Sequence, residues 1–98
     1  MLFRSLDRIL LDMPEPHKVI PGAASALRPG GILLAYLPTI NQTALLRASL
    51  DAESSGFGLS ETQEIMRRTW HVEARSVRPD HRMVGHTGFL TTARRIST

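Results

Sequence analysis

Two apolar runs without regular alternation frame the first half of the chain. Leu6-Asp7-Arg8-Ile9-Leu10-Leu11-Asp12 stops at Pro14-Glu15-Pro16, and Ile32-Leu33-Leu34-Ala35-Tyr36-Leu37 stops at Pro38. Both are too short for helices, and an unbroken apolar run is what a parallel strand covered on both faces requires. Between them, Val19, Ile20, Ala23, Ala24 and Leu27 recur at helical spacing, which predicts a helix over 17–27 with Pro16 in its first turn and a kink at Pro21-Gly22. Arg28-Pro29-Gly30-Gly31 should end that helix and turn the chain. Beyond Pro38, Thr39 or Asn41 can cap a helix running to about Ser55, with Ala44, Leu45, Ala48 and Ala52 along its buried stripe and Gly56 as its stop. The order strand-helix-strand-helix is that of a right-handed parallel unit in an α/β sheet.

The pattern then changes. Thr62, Glu64, Met66, Arg68, Trp70 and Val72 share one face of a predicted strand, and Gln63, Ile65, Arg67 and Thr69 share the other, a mixture suited to a sheet edge. Residues 75–85 read as a long basic loop, and His86 to Arg94 as a last strand that closes an antiparallel hairpin.

A length of 98 residues allows one domain and no separate cofactor half. With no cysteine in the chain, disulfides, thiolate metal sites and cysteine nucleophiles are excluded. His17, His71, His81 and His86 lack the spacing of a zinc motif, so no metal is expected. Gly30-Gly31 and Gly56-Phe57-Gly58 do not stand between a strand and a helix as a phosphate loop must, and no serine sits in a nucleophile elbow. No apolar stretch approaches the roughly 20 residues of a membrane span, and the first residues lack a secretory core, which predicts a cytoplasmic protein. Charge is unevenly placed: residues 67–98 hold seven arginines against Glu73 and Asp80, and eleven of the twelve cations in the chain are arginine. Guanidinium forks suit phosphate, so RNA is a candidate partner, as is pairing with the acidic middle segment.

Parallel sheets bind ligands beyond the carboxyl ends of their strands. Asp12 closes the first strand and Tyr36 nearly closes the second. A carboxylate and an aromatic ring on one rim suit a flat nitrogenous base, the ring stacking and the carboxylate accepting from an exocyclic amine. A turn-forming aspartate and a core tyrosine remain the alternatives.

Leu11-Asp12-Met13-Pro14-Glu15-Pro16, Leu27-Arg28-Pro29-Gly30-Gly31 and Ala35-Tyr36-Leu37-Pro38-Thr39 resemble the carboxyl-terminal half of the tRNA (adenine-58-N1)-methyltransferases. Val77-Arg78-Pro79, His81, Met83 and Gly85-His86-Thr87-Gly88-Phe89-Leu90 resemble that family's closing hairpin, in the same order. The resemblance implies a Rossmann-like class I methyltransferase fold, of which residues 1–98 supply the fourth to seventh strands, with S-adenosylmethionine as methyl donor and tRNA as substrate. It implies Asp12 as the catalytic carboxylate, Asp12 and Met13 at the donor, and Tyr36 and Gln42 at the base. Arg78, His81 and His86 become candidates for RNA or subunit contacts. His17 departs from the tryptophan usual after Pro16. The family's donor-binding glycine-rich loop is missing, which implies a fragment, a truncated gene product or one piece of a split enzyme, assembled as a homo-oligomer, tetrameric in the family, or with a complementary amino-terminal half. A non-catalytic RNA-binding or assembly subunit is the alternative.

Overall fold

The structure, a computed structural model, describes residues 5–82 and 88–96. β1 (Leu6–Leu11) leads through a 3-10 turn (Pro16–Val19) into α1 (Ile20–Ala26), and β2 (Leu27–Leu37) follows directly. Because α1 begins at Ile20, Pro21 lies in its first turn, where no intrahelical N–H is lost. The kink expected from an interior proline does not arise; the predicted helix over 17–27 is a 3-10 turn followed by α1.

β1 and β2 pair in parallel, as predicted, with Arg8 opposite Ile32 and Leu11 opposite Ala35. The Arg28-Pro29-Gly30-Gly31 segment does not terminate a helix in a free loop. It bulges out within β2: pairing jumps from Leu6–Leu27 to Arg8–Ile32, so Asp7 alone of β1 faces the four residues from Arg28 to Gly31. Gly30 takes a φ of +82° in this bulge, and a Cβ on Gly31 would stand 2.8 Å from a Leu27 methyl, so both glycines are needed for the chain to double back this tightly.

α2 (Ile40–Asp51) starts at Thr39, whose extended backbone and Oγ1, accepting from the Gln42 N–H at 3.2 Å, make it the cap. The helix ends at Asp51 rather than Ser55, and it buries Thr43, Leu46 and Leu50. The predicted Ala44–Leu45–Ala48–Ala52 stripe faces solvent instead. Two leucines bury more apolar area than the alanine stripe, and Thr43 is admitted because its hydroxyl donates to the Thr39 carbonyl at 2.9 Å.

β3 (Phe57–Ile65) begins where Gly56, at φ +86°, redirects the chain. It ends before most of the predicted 62–72 strand; residues 70–73 form a separate strand, β4 (Trp70–Glu73), paired with β5 (Ser76–Pro79). The segment expected to be a basic loop therefore contains β5. β6 (Gly88–Arg95) returns between β2 and β3, antiparallel to both, giving the sheet order β1-β2-β6-β3. The long axis of the molecule is 64 Å, and the radius of gyration is 17.5 Å against about 13 Å for a compact chain of 100 residues. The β4–β5 ribbon, joined to no strand of the main sheet, accounts for that elongation.

One face of the main sheet carries the core. Leu33, Ala35 and Leu37 of β2 and Ala93 of β6 pack with Phe57 against Ile20 and Ala23 of α1 and Leu46 and Leu50 of α2. Between α2 and the sheet, the Thr62 and Thr91 hydroxyls meet at 2.9 Å and Arg47 donates to Thr62 at 3.1 Å. No helix among the described residues is long and apolar enough to cross a membrane.

β3 holds one strained residue. Where Gly58 pairs with Arg94 and Glu61 with Thr92, an extra residue is accommodated, and Leu59 adopts φ +55° with 82% of its surface exposed. A left-handed backbone costs a branched residue about 1–2 kcal/mol, and little burial is at stake. Leu59→Gly is therefore expected to raise stability by about 0.5–1 kcal/mol after glycine's own entropy cost, seen as a rise in Tm. A fall in Tm would show that the bulge needs the leucine side chain.

Candidate active site at the carboxyl ends of β1 and β2

The last paired residues of the parallel unit, Leu11 and Ala35, place Asp12 and Tyr36 side by side on the rim where both strands end. Neighbouring strands lie about 4.8 Å apart, so the two residues are neighbours, each one position past the last pair. Asp12 is exposed and Tyr36 is 38% exposed. Tyr36 sits opposite Leu90 of β6, and its ring lies over Gly88: a Cβ there would fall 2.2 Å from Cε2 and 2.5 Å from the hydroxyl oxygen. Only glycine leaves room for the ring in this position. Gly88 is thus a site residue that reading along the chain named only as part of a motif; the signal for it was the second glycine of Gly85-His86-Thr87-Gly88.

Gln42 reaches the same rim from α2, as a clamp. Its Nε2 donates to the Pro14 carbonyl at 3.3 Å, and its Oε1 accepts from the Thr39 hydroxyl at 2.7 Å. The helix cap and the Asp12-Met13-Pro14 loop are tied through one side-chain amide, which fixes how far Asp12 stands above the sheet. Met13, half-buried, follows Asp12 in that loop. On its far side Lys18 closes a turn on Glu15, with Nζ 2.8 Å from the carboxylate and the Lys18 N–H 3.1 Å from the Glu15 carbonyl. The hydrogen bond and charge of Lys18, with a smaller contribution from His17, hold the exposed Glu15 carboxyl below its ordinary value.

The remaining predicted residues lie elsewhere. Arg78 is on β5 opposite His71, donating to the Pro79 carbonyl at 3.3 Å, and His81 is exposed just beyond Asp80. Both belong to the projecting ribbon and are not brought to Asp12 and Tyr36. His86 lies outside the described residues. The ribbon has two unlike faces: Trp70, Val72, Val77 and Pro79 on one, His71, Glu73, Ser76 and Arg78 on the other.

Chemically, the rim offers a carboxylate beside an aromatic ring whose tilt is set by a glycine. That arrangement can hold a planar heterocycle and accept a proton or hydrogen bond from its exocyclic amine. β1 pairs on one side only among the described residues, so this rim is open beside Asp12.

The chain is 43% identical, over 91% of its length, to a tRNA (adenine(58)-N(1))-methyltransferase TrmI of Thermus thermophilus, and it covers 34% of that protein. In three dimensions it is similar to a SAM-dependent O-methyltransferase of Thermotoga maritima, with a TM-score of 0.85 at 29% identity over 95% of this chain and 34% of that one. It is equally similar to the tRNA (m1A58) methyltransferase TrmI of Aquifex aeolicus, with a TM-score of 0.84 at 29% identity over 95% of this chain and 36% of that one. The chain thus spans about a third of the length of the relatives it matches. The four strands and two helices described above are the carboxyl-terminal part of a Rossmann-like methyltransferase sheet. Residues 2–80 match the family described as the tRNA methyltransferase complex GCD14 subunit, and the chain belongs to that family.

Proposed function

We propose that residues 1–98 form the base-binding portion of an S-adenosylmethionine-dependent tRNA methyltransferase that acts on N1 of adenine 58. The observation that supports this most is the meeting of Asp12 and Tyr36, over Gly88, at the carboxyl ends of adjacent parallel strands. In this reading Tyr36 stacks on the adenine and the Asp12 carboxylate accepts a hydrogen bond from its N6 amine, raising electron density at N1. Gln42 serves by holding the Asp12 loop through the Pro14 carbonyl. S-adenosylmethionine, when bound, supplies the electrophilic methyl group. The residues present fit it as one wall of its site, Asp12 and Met13 forming a polar and an apolar neighbour at a strand end. The opposite wall would come from a polypeptide that pairs with the free edge of β1, either a complementary amino-terminal segment or a further part of the same enzyme. A cytoplasmic, oligomeric enzyme accords with this reading, with tetramers as the expected state once that segment is supplied.

Titration calorimetry of the 98-residue chain with S-adenosylmethionine, alongside its sedimentation mass, tests the division of the site. Binding weaker than millimolar by a folded species is expected. Tight binding at unit stoichiometry would show that this chain completes the donor site by itself and would overturn the half-site reading.

A second reading, an RNA-binding or assembly subunit without catalysis, is favoured by one observation: the arginine-rich 67–82 segment stands out from the sheet. Both readings assign RNA phosphates to Arg67, Arg68, Arg75, Arg78 and Arg82, with His81 next to Arg82 in the chain. Each neutralised phosphate contributes about −0.9 to the slope of log affinity against log salt on a duplex. A tRNA-binding slope of about −4 to −5 is expected if all five arginines engage, with Arg78→Ala making it shallower by about one contact. A flat response to salt would remove the ribbon from RNA recognition.

A further inference from the structure

At the end of the sheet opposite Asp12, three arginines from three strands meet at one concavity. Arg8 of β1, Arg28 in the bulge of β2 and Arg94 of β6, with Asp7, Gly30 and Ile32, line a space of about 290 Å³. Arg8, Ile32 and Arg94 are register partners in a row across the strands. Their neighbours Ile9, Leu33 and Ala93 point into the core, so this row lies on the face that α1 and α2 leave uncovered. Ile32 forms its floor.

Two of the three guanidinium groups are held in place. Arg28 pairs through Nε with Asp7 and donates from Nη1 to the Pro29 carbonyl at 3.1 Å. Arg94 donates from Nη1 to the Gly30 carbonyl at 3.2 Å. The three-residue excess in β2 makes this possible, because it turns the Pro29 and Gly30 carbonyls toward the arginines. Arg8 makes no hydrogen bond or ion pair among the described residues. Three cations therefore share a single carboxylate, and the uncompensated charge in the concavity is close to +2. Like charges gathered this closely repel one another until an anion joins them. A carboxylate would take one fork, as Asp7 already does for Arg28, whereas the oxygens of a phosphate can accept from guanidiniums approaching on different sides.

We propose that this concavity is a phosphate-binding site, distinct from the rim of Asp12 and Tyr36 and independent of the methyltransferase reading. Four residue steps along β1 separate Arg8 from Asp12, about 13 Å of strand. Its ligand is either a free or terminal phosphate carrying two charges, or adjacent phosphodiesters of an RNA backbone.

The test is titration of the isotope-labelled 98-residue chain with inorganic pyrophosphate at low ionic strength, read at the backbone amides of Gly30, Gly31 and Ile32, with sodium chloride of equal ionic strength as control. Saturable shifts at these amides are expected, and Arg8→Ala should weaken binding about tenfold, the scale of one charged hydrogen bond. Arg8 is exposed and bonds to nothing described, so its loss leaves the fold in place, which unchanged amide positions in α2 verify. Arg94→Gln, which keeps a donor for the Gly30 carbonyl while removing the charge, should weaken binding comparably. The proposal is overturned if residues 30–32 do not respond, if chloride reproduces the response, or if both variants bind as the parent does. A short RNA with a 5′-hydroxyl distinguishes the sources: displacing pyrophosphate from residues 30–32 assigns the site to backbone phosphates, and failing to do so assigns it to a free or terminal phosphate. Loss of donor or tRNA binding elsewhere would leave these readings unaffected.

Discussion

In a chimera that joins this chain to the amino-terminal two-thirds of the Thermus relative, Asp12→Ala lowers the rate of methyl transfer to tRNA by about 10²–10⁴-fold, the usual scale for removing a positioned acid or base. Affinity for tRNA stays within about twofold, because the arginines proposed to contact phosphates lie in residues 67–82 and not at the rim. Asp12→Asn falls between the two, since its carbonyl can still accept from an amine but carries no charge to polarise it. Single-turnover methylation with the variant and parent chimeras is the measurement. If Asp12→Ala retained activity within tenfold of the parent, the carboxylate would be a turn residue, and Tyr36 would have to work beside some other acceptor.

The second large effect is on folding. Arg95 is only 5% exposed, yet it carries a full charge, and it spends that charge on backbone. Its Nε donates to the Ala24 carbonyl of α1 at 2.8 Å, and its Nη1 donates to the carbonyls of Gly56 at 3.0 Å and Ile96 at 2.6 Å. One side chain thereby ties α1, the entry to β3 and the end of β6. Arg95→Leu removes all three bonds, leaving the Gly56 carbonyl only the Ile96 N–H, and hydrogen bonds to charged groups are worth about 1.5–3 kcal/mol each. With some return from leucine's burial, a net loss of about 3 kcal/mol is expected, equivalent to roughly 12–24 °C in Tm for a chain of this size. Arg95→Lys should recover only part of it, because a single ammonium cannot span three acceptors set in a fork. An unchanged Tm in the leucine variant would mean that water replaces the guanidinium at all three carbonyls.

The parallel unit and its rim were legible in the residues because both depend on local signals. A mostly apolar run and an unbroken one, each ended by proline, located β1 and β2, and their parallel pairing put Asp12 beside Tyr36. The errors occur where tertiary packing overrides local pattern. The alanine stripe of α2 has helical spacing, but so do Thr43, Leu46 and Leu50, and the choice between the faces is made by the sheet beneath. Gly30-Gly31 after Arg28-Pro29 has the chemistry of a free turn; what keeps it in β2 is pairing with Leu6 and Arg8 on either side of the bulge. β5 was hidden because Ser76-Val77-Arg78-Pro79, four residues ending in proline, is too short a run to distinguish a solvated ribbon from a loop. The role of Gly88 and the clamp formed by Gln42 depend on atoms brought together from distant positions, and no spacing along the chain announces either.

The insertion of β6 between β2 and β3 has a consequence for assembly in time. β2 cannot gain its antiparallel neighbour until the chain from Pro38 to Thr87 has also been made, and β3, completed earlier, has no partner before β6 exists. On the ribosome the sheet would wait as a parallel pair with an isolated third strand. The ring of Tyr36 would not have Gly88 beneath it until β6 was made, and Arg95, made after both α1 and the entry to β3, would be the one that fastens them together. Non-local pairing of this kind is slow and leaves strand edges bare while it is pending. Completion of β6, rather than synthesis of Asp12 and Tyr36 themselves, is the event that makes the rim.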